Sequence, residues 1–153
     1  MSSKYRDRCL ILACGNPLRG DDGAAWHIAE AAYEVGFPPS VRIIFQQQWT
    51  PDLAEDIARA EGVLFVDCAL TAPPGSVSIA PIAPAFERPP FLTHHQDPAT
   101  LLALSFLYYD HLPRRSDLLL IGAESINHTE KLSPPVQAAV PRALALIKQW
   151  VNS

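Results

Sequence analysis

Residues 11–30, ILACGNPLRGDDGAAWHIAE, decide the fold, because they join an apolar strand to a helix through a turn that contains two adjacent carboxylates. From Asp22 onward, small and apolar residues recur with the spacing of one helical face. A strand that leads directly into a helix is the first half of a β-α-β unit. Placing Asp21 beside Asp22 costs electrostatic repulsion, so this turn is a candidate functional segment.

The rest of the chain repeats this alternation of strands and helices. Apolar runs, most of them without clear polar alternation, are typical of strands buried on both faces, and they predict central strands at residues 9–14, 41–46, 62–68 and 117–123. Helices are predicted at residues 22–35, 51–60, 98–109 and 134–151, the last with Ser133 as its N-cap. Residues 76–80 alternate and predict a short antiparallel edge strand. We therefore predict a single α/β domain over residues 1–153, with a doubly wound, mostly parallel sheet of about five strands and helices on both faces.

Composition restricts the classes of function. A formal net charge of -4 gives no general attraction to nucleic acid, and no apolar run is long enough to span a bilayer. Three cysteines without a CxxC pair fit a reducing compartment better than a disulfide framework. We therefore expect a cytoplasmic protein without a nucleic-acid or membrane partner, and we expect it to be a monomer.

Several side chains with metal-ligand chemistry follow predicted strands or end a proline-rich loop. Doubly wound sheets bind their ligands beyond the carboxyl ends of the strands. The candidates there are Asp21 and Asp22 after the first strand, Asp67 at the end of the third, and His94 and His95 at the end of the loop. Two carboxylates and one imidazole form a ligand set for a divalent transition metal. Structural alternatives stay open, namely helix capping for the paired aspartates, turn formation for Asp67, and solvation for the histidines.

Other kinds of site match the sequence less well. The segment GNPLRGDDG lacks the Gly-Lys-Ser/Thr ending of a phosphate loop and the Gly-x-Gly-x-x-Gly spacing of a dinucleotide site, and it carries negative charge. No Gly-x-Ser-x-Gly elbow occurs, and no sequence feature marks Cys68 as an activated thiolate, so we expect Cys68 in the core.

The motifs resemble those of the nickel-iron hydrogenase maturation peptidases. CGNPLRGDDGAAWHIAE is similar to their N-terminal Gly-Asn-x-Leu-x-x-Asp-Asp/Glu-x-x-Gly motif, without its final glycine. LFVDCAL is similar to their strand-ending aspartate segment, and THHQDPATLLAL to their histidine motif before a helix. The ending IGAESINHTEKLSPPVQAAVPRALALI also fits, so the resemblance covers nearly the whole chain. The segment FQQQWTPDLAEDIA resembles the one that some members carry after the second strand and lacks the Asp-Gly-Gly of others.

This resemblance implies a function and a set of site residues. It implies an endopeptidase that removes the C-terminal extension of a hydrogenase large-subunit precursor after nickel insertion, with Asp22, Asp67 and His95 as metal-binding and catalytic residues. The nickel would come with the precursor. His95 matches the histidine motif and His94 does not, while Asp21 has either a capping role, which we favour, or a supporting role beside the ligands.

Two alternatives belong to other functional classes. The same three ligands would serve a nickel-sensing accessory module for hydrogenase assembly that does not cut its partner. A structural interaction domain would use the carboxylates as caps and leave the histidines solvated.

Overall fold

The computed structural model describes residues 7–87 and 97–153. Its elements are β1 (Asp7–Cys14), a 3₁₀ turn (Gly20–Gly23), α1 (Ala24–Val35), β2 (Val41–Gln46), α2 (Leu53–Ala58), β3 (Ala60–Ala69), β4 (Val77–Pro81), α3 (Pro98–Tyr109), β5 (Arg115–Gly122) and α4 (Pro134–Val151). The described strands form one five-stranded sheet in the order β2-β1-β3-β5-β4, with β4 antiparallel to β5 and the other neighbouring pairs parallel. The predicted sheet is therefore confirmed, including its antiparallel edge strand.

Helices cover both faces of the sheet, as predicted. α1 packs with α4 on one face, and α2 packs with α3 on the other. Each face has its own core, one containing Ile11 and Leu64 and the other containing Leu10 and Phe65. Because successive strand residues point to opposite faces, β1 and β3 feed both cores alternately. No helix in the described part of the chain is long and apolar enough to cross a membrane.

Three predicted elements differ from the structure. The strand at residues 41–46 was predicted to be central, but β2 lies at the sheet edge, because an apolar run reports burial and not the number of neighbouring strands. The helix predicted at residues 51–60 is shorter, since Ala60 already pairs with Asp7 at the start of β3. The helix predicted from residue 22 begins at Ala24, after the 3₁₀ turn.

The centre of the sheet is a switch point in the chain topology. β1 and β3 are parallel neighbours, and the chain runs from β1 through α1 to β2 on one side. It then returns through α2, on the opposite face, to β3 on the other side of β1. Because α1 and α2 lie on opposite faces, the carboxyl ends of β1 and β3 form the switch point at which sheets of this kind bind ligands.

Candidate functional site

Asp22 lies in the 3₁₀ turn that follows β1, and it is half-buried. Its Oδ2 accepts a hydrogen bond from the backbone N–H of Asn16 at 2.8 Å, and the Cys68 thiol lies 3.7 Å from its Oδ1. Gly15 permits this close packing, since a Cβ there would lie 1.8 Å from the carbonyl oxygen of Asp22. Each carboxylate oxygen has a further lone pair, so Asp22 retains the capacity to bind a ligand.

Asp67 lies near the end of β3, next to β1 in the sheet. Its Oδ1 accepts from the backbone N–H of Cys68 at 2.8 Å, and its Oδ2 accepts from the indole N–H of Trp49 at 3.2 Å. Burial raises the pKa of Asp67 to about 6; the two hydrogen bonds oppose this rise and the negative charge of Asp22 adds to it. Asp22 and Asp67 therefore lie close enough to interact at the carboxyl edge of the sheet.

Two protonated thiols border the carboxylates. Burial, together with the charges of Asp67 and Asp22, raises the pKa of Cys14 to about 12 and raises that of Cys68 as well. All three cysteines are free thiols, as predicted. Cys68 packs against one core cluster, in line with the prediction, but it lies at the border of the core, since it is half-buried and directs its S–H toward Asp22. With their pKa values raised, these thiols are not activated nucleophiles.

Asp21 is fully buried, with 0% exposure, and it has a structural role. Its Oδ2 accepts from the backbone N–H groups of Glu124 (2.8 Å) and Ser125 (3.0 Å) and from the Ser133 hydroxyl (2.7 Å). Its Oδ1 accepts from the backbone N–H of Ser133 at 2.7 Å. Burial would raise the pKa of Asp21, but the hydrogen bonds from Ser133, Ser125 and Glu124 outweigh it and hold the pKa below its usual value. Asp21 thus ties the turn to the loop before α4.

The capping role favoured for Asp21 is wrong, since neither the 3₁₀ turn nor α1 has a side-chain cap hydrogen bond. Ser133 does occupy the N-cap position of α4, as predicted, but its side chain caps no amide there and donates to Asp21 instead. The buried carboxylate attracts this hydroxyl because a charged acceptor forms the stronger hydrogen bond.

Two of the three predicted ligands meet at the carboxyl edge of β1 and β3. Asp22 and Asp67 are brought together from β1 and β3, while His94 and His95 lie outside the described residues. Within residues 7–87 and 97–153, no three His, Cys, Asp or Glu side chains form a group that could hold a metal ion. The assignment of His95 therefore stays a prediction.

Sequence patterns did not predict the contact between Trp49 and Asp67. Trp49 lies in the loop between β2 and α2, in the segment that differs from the Asp-Gly-Gly of some family members. One signal was available, because Phe65 and Asp67 are two residues apart on β3 and share a face. An aromatic ring that covers Phe65 therefore has Asp67 within its reach.

No protein-family model matches this sequence, and no curated protein matches it either. Solved structures do match. The hydrogenase maturating endopeptidase HybD from E. coli is 22% identical, with a TM-score of 0.74, over 95% of this chain and 92% of its own. A hydrogenase 2 maturation peptidase from Thaumarchaeota archaeon SCGC_AB-539-E09 is 26% identical, with a TM-score of 0.72, over 95% of this chain and 98% of its own.

A third structure, the NiFe hydrogenase maturation protease HybD from Thermococcus kodakarensis, is 25% identical, with a TM-score of 0.71, over 94% of this chain and 99% of its own. These proteins span nearly the whole of the chain and share its α/β fold. The resemblance predicted from the motifs is thus confirmed at the level of structure.

Proposed function

We propose that this chain, a structural relative of the hydrogenase maturation endopeptidases, is itself an endopeptidase that removes the C-terminal extension of a nickel-iron hydrogenase large-subunit precursor. The observation that carries the proposal is the meeting of Asp22 and Asp67 at the carboxyl edge of β1 and β3. The pair lies in a fold that this chain shares with three solved hydrogenase maturation peptidases, each of which matches 94–95% of the chain. Cleavage would follow nickel insertion, as the motif resemblance implies.

The two carboxylates have the chemistry needed to bind the nickel that the precursor carries. Carboxylate oxygens bind divalent transition metals, and an imidazole from His95 would complete a mixed ligand set. Within the described residues, no Lys or Arg side chain forms an ion pair with Asp22 or Asp67. A cation held between them would relieve the mutual repulsion that now contributes to the raised pKa of Asp67.

Nickel supplied by the substrate would make recognition and timing one event, because only a loaded precursor would complete the site. A metal beside the scissile peptide polarises its carbonyl or lowers the pKa of a water molecule, so no serine or cysteine nucleophile is needed. The raised pKa values of Cys14 and Cys68 are consistent with this chemistry. We place the reaction in the cytoplasm, in line with the reducing environment that the free cysteines suggest, and we propose that the protein acts as a monomer.

The decisive experiment incubates the purified protein with candidate large-subunit precursors, with and without nickel, and measures the precursor mass. We expect a shortened C-terminus only when nickel is present. Nickel-dependent binding without shortening would favour the accessory sensing module. A full-length precursor with no nickel-dependent binding would leave only the structural interaction domain.

A further inference from the structure

We infer that Trp49 is a positioning residue, whose indole N–H sets the direction in which Asp67 meets the nickel of the precursor. The inference rests on the proposed function, because that function assigns Asp67 to the metal. It adds a residue that the motifs do not include. Trp49 acts through Asp67 alone, without contact to metal or substrate.

The alternation of β3 brings the indole to the carboxylate. Phe65 and Asp67 lie two residues apart on β3, so both side chains point to the same face of the sheet. The Trp49 ring packs edge-on against Phe65, with centroids 5.5 Å apart and an interplanar angle of 79°. From that position its N–H reaches Oδ2 of Asp67 at 3.2 Å.

The core holds the indole in this position. Trp49 is half-buried and packs against the hydrophobic cluster between the sheet and the pair α2 and α3. An edge-to-face aromatic pair stabilises this arrangement beyond the burial of its area. The direction of the N–H is therefore fixed by packing that does not depend on a bound metal.

Two donors together fix the plane of the Asp67 carboxylate. The backbone N–H of Cys68 donates to Oδ1 and Trp49 donates to Oδ2, so each oxygen has one partner from the protein. Each oxygen has a further lone pair, which can face a metal ion. Without the indole, only the neighbouring backbone amide would restrain Oδ1, and the carboxylate would be free to rotate about that contact. Hydrogen-bond partners of this kind orient metal ligands.

Trp26 provides a matched control. Its indole N–H donates to the carbonyl oxygen of Gln46 at 2.9 Å, and its ring packs edge-on against Phe45 with centroids 5.3 Å apart. Like Trp49, it is half-buried and pairs with a phenylalanine of a strand. Trp26→Phe therefore removes the same donor and a similar ring area, but it leaves Asp67 untouched.

The experiment compares Trp49→Phe and Trp26→Phe with the wild type in three measurements. These are Ni²⁺ affinity by calorimetry, kcat/KM on the nickel-loaded precursor, and affinity for the nickel-free precursor. For Trp49→Phe we expect Ni²⁺ affinity and kcat/KM to fall about 10- to 100-fold, the usual range for losing a residue that orients a metal ligand. Its affinity for the nickel-free precursor and its melting temperature should match those of Trp26→Phe.

Four outcomes decide the inference. Wild-type Ni²⁺ affinity and kcat/KM in Trp49→Phe would overturn it, and so would equal losses in Trp26→Phe. A Trp49→Phe protein that melts well below Trp26→Phe and loses affinity for both forms of the precursor would assign the indole a packing role instead. If the wild type cleaves no precursor but Trp49→Phe alone weakens Ni²⁺ binding, the proposed peptidase function fails while the positioning role of Trp49 stands.

Discussion

Asp21→Asn should destabilise the protein by about 2–4 kcal/mol without changing its fold. The amide has the shape of the carboxylate, but its NH₂ group must replace one acceptor oxygen. If the amide oxygen takes the Oδ2 position, the NH₂ faces the backbone N–H of Ser133, and a buried donor without a partner costs about 1–3 kcal/mol. The remaining hydrogen bonds from Glu124, Ser125 and the Ser133 hydroxyl lose a charged acceptor, which removes about 1 kcal/mol more.

The pH dependence of this effect has a defined sign. Because the pKa of Asp21 is lowered by folding, its stabilisation is complete above the unfolded value of about 3.9 and is lost as the pH falls through the folded pKa. Urea unfolding followed by circular dichroism should therefore show the largest loss for Asp21→Asn near pH 7 and a smaller loss below about pH 4. Asp22→Asn makes the same charge change at a half-buried position with one backbone donor, so it should cost less than about 1 kcal/mol. Equal stability of the two variants, or a difference that does not change with pH, would refute the reasoning.

Three further predictions concern the site. Asp22→Ala and Asp67→Ala should each abolish cleavage of the nickel-loaded precursor. Both variants should keep a cooperative circular-dichroism melt, because removing one carboxylate relieves the repulsion between the two. An unfolded variant would contradict the ligand role. Relative to the wild type, Asp67→Asn should be more stable at pH 8 than at pH 4, by about 2–3 kcal/mol, because the folded pKa of about 6 exceeds the unfolded value of about 3.9 and the wild type loses stability as the pH rises from the unfolded pKa through the folded one. The new NH₂ group must face one of the two donors to Asp67, and this cost is the same at both pH values. An equal effect in urea melts at both pH values would rule this out. His95→Ala should lose nickel-dependent cleavage while His94→Ala keeps most of it, and similar losses in a precursor-cleavage assay would reject the choice between them.

The parallel centre of the sheet was predictable because its burial is two-sided. Leu64 and Phe65 are adjacent on β3 and pack in different cores, so a strand of this kind needs apolar residues at successive positions. The same signal failed for β2, whose residues are mostly half-buried by the helices and by β1. An apolar pattern reports that helices cover a strand, but it carries no information about whether a second strand lies beside it.

The site was predictable only where topology decides it. Asp22 and Asp67 follow neighbouring parallel strands, and such strands end at the same edge whatever the intervening sequence. The partners of Asp21 lie more than 100 residues away in the chain, and they meet it because the loop before α4 packs against the 3₁₀ turn. No local pattern encodes that packing, just as none encodes the reach of Trp49 to Asp67.

The adjacent carboxylates of Asp21 and Asp22 can both be accommodated because hydrogen bonds compensate their charges to different extents. Asp21 points inward and its charge is compensated by four donors, so it stays ionised although it is fully buried. Asp22 has one backbone donor and a neighbouring thiol, and its charge adds to the field that raises the pKa of Asp67. The inward hydrogen bonds anchor the turn to the loop before α4, and that anchor keeps the outward carboxylate in place despite the repulsion. A carboxylate that binds a metal ion must be held in a fixed position, because a displaced ligand no longer has the required distance and angle to the ion. Asp21→Asn should therefore reduce nickel-dependent cleavage even under conditions where the variant remains folded, because Asp22 is then held less firmly in its position.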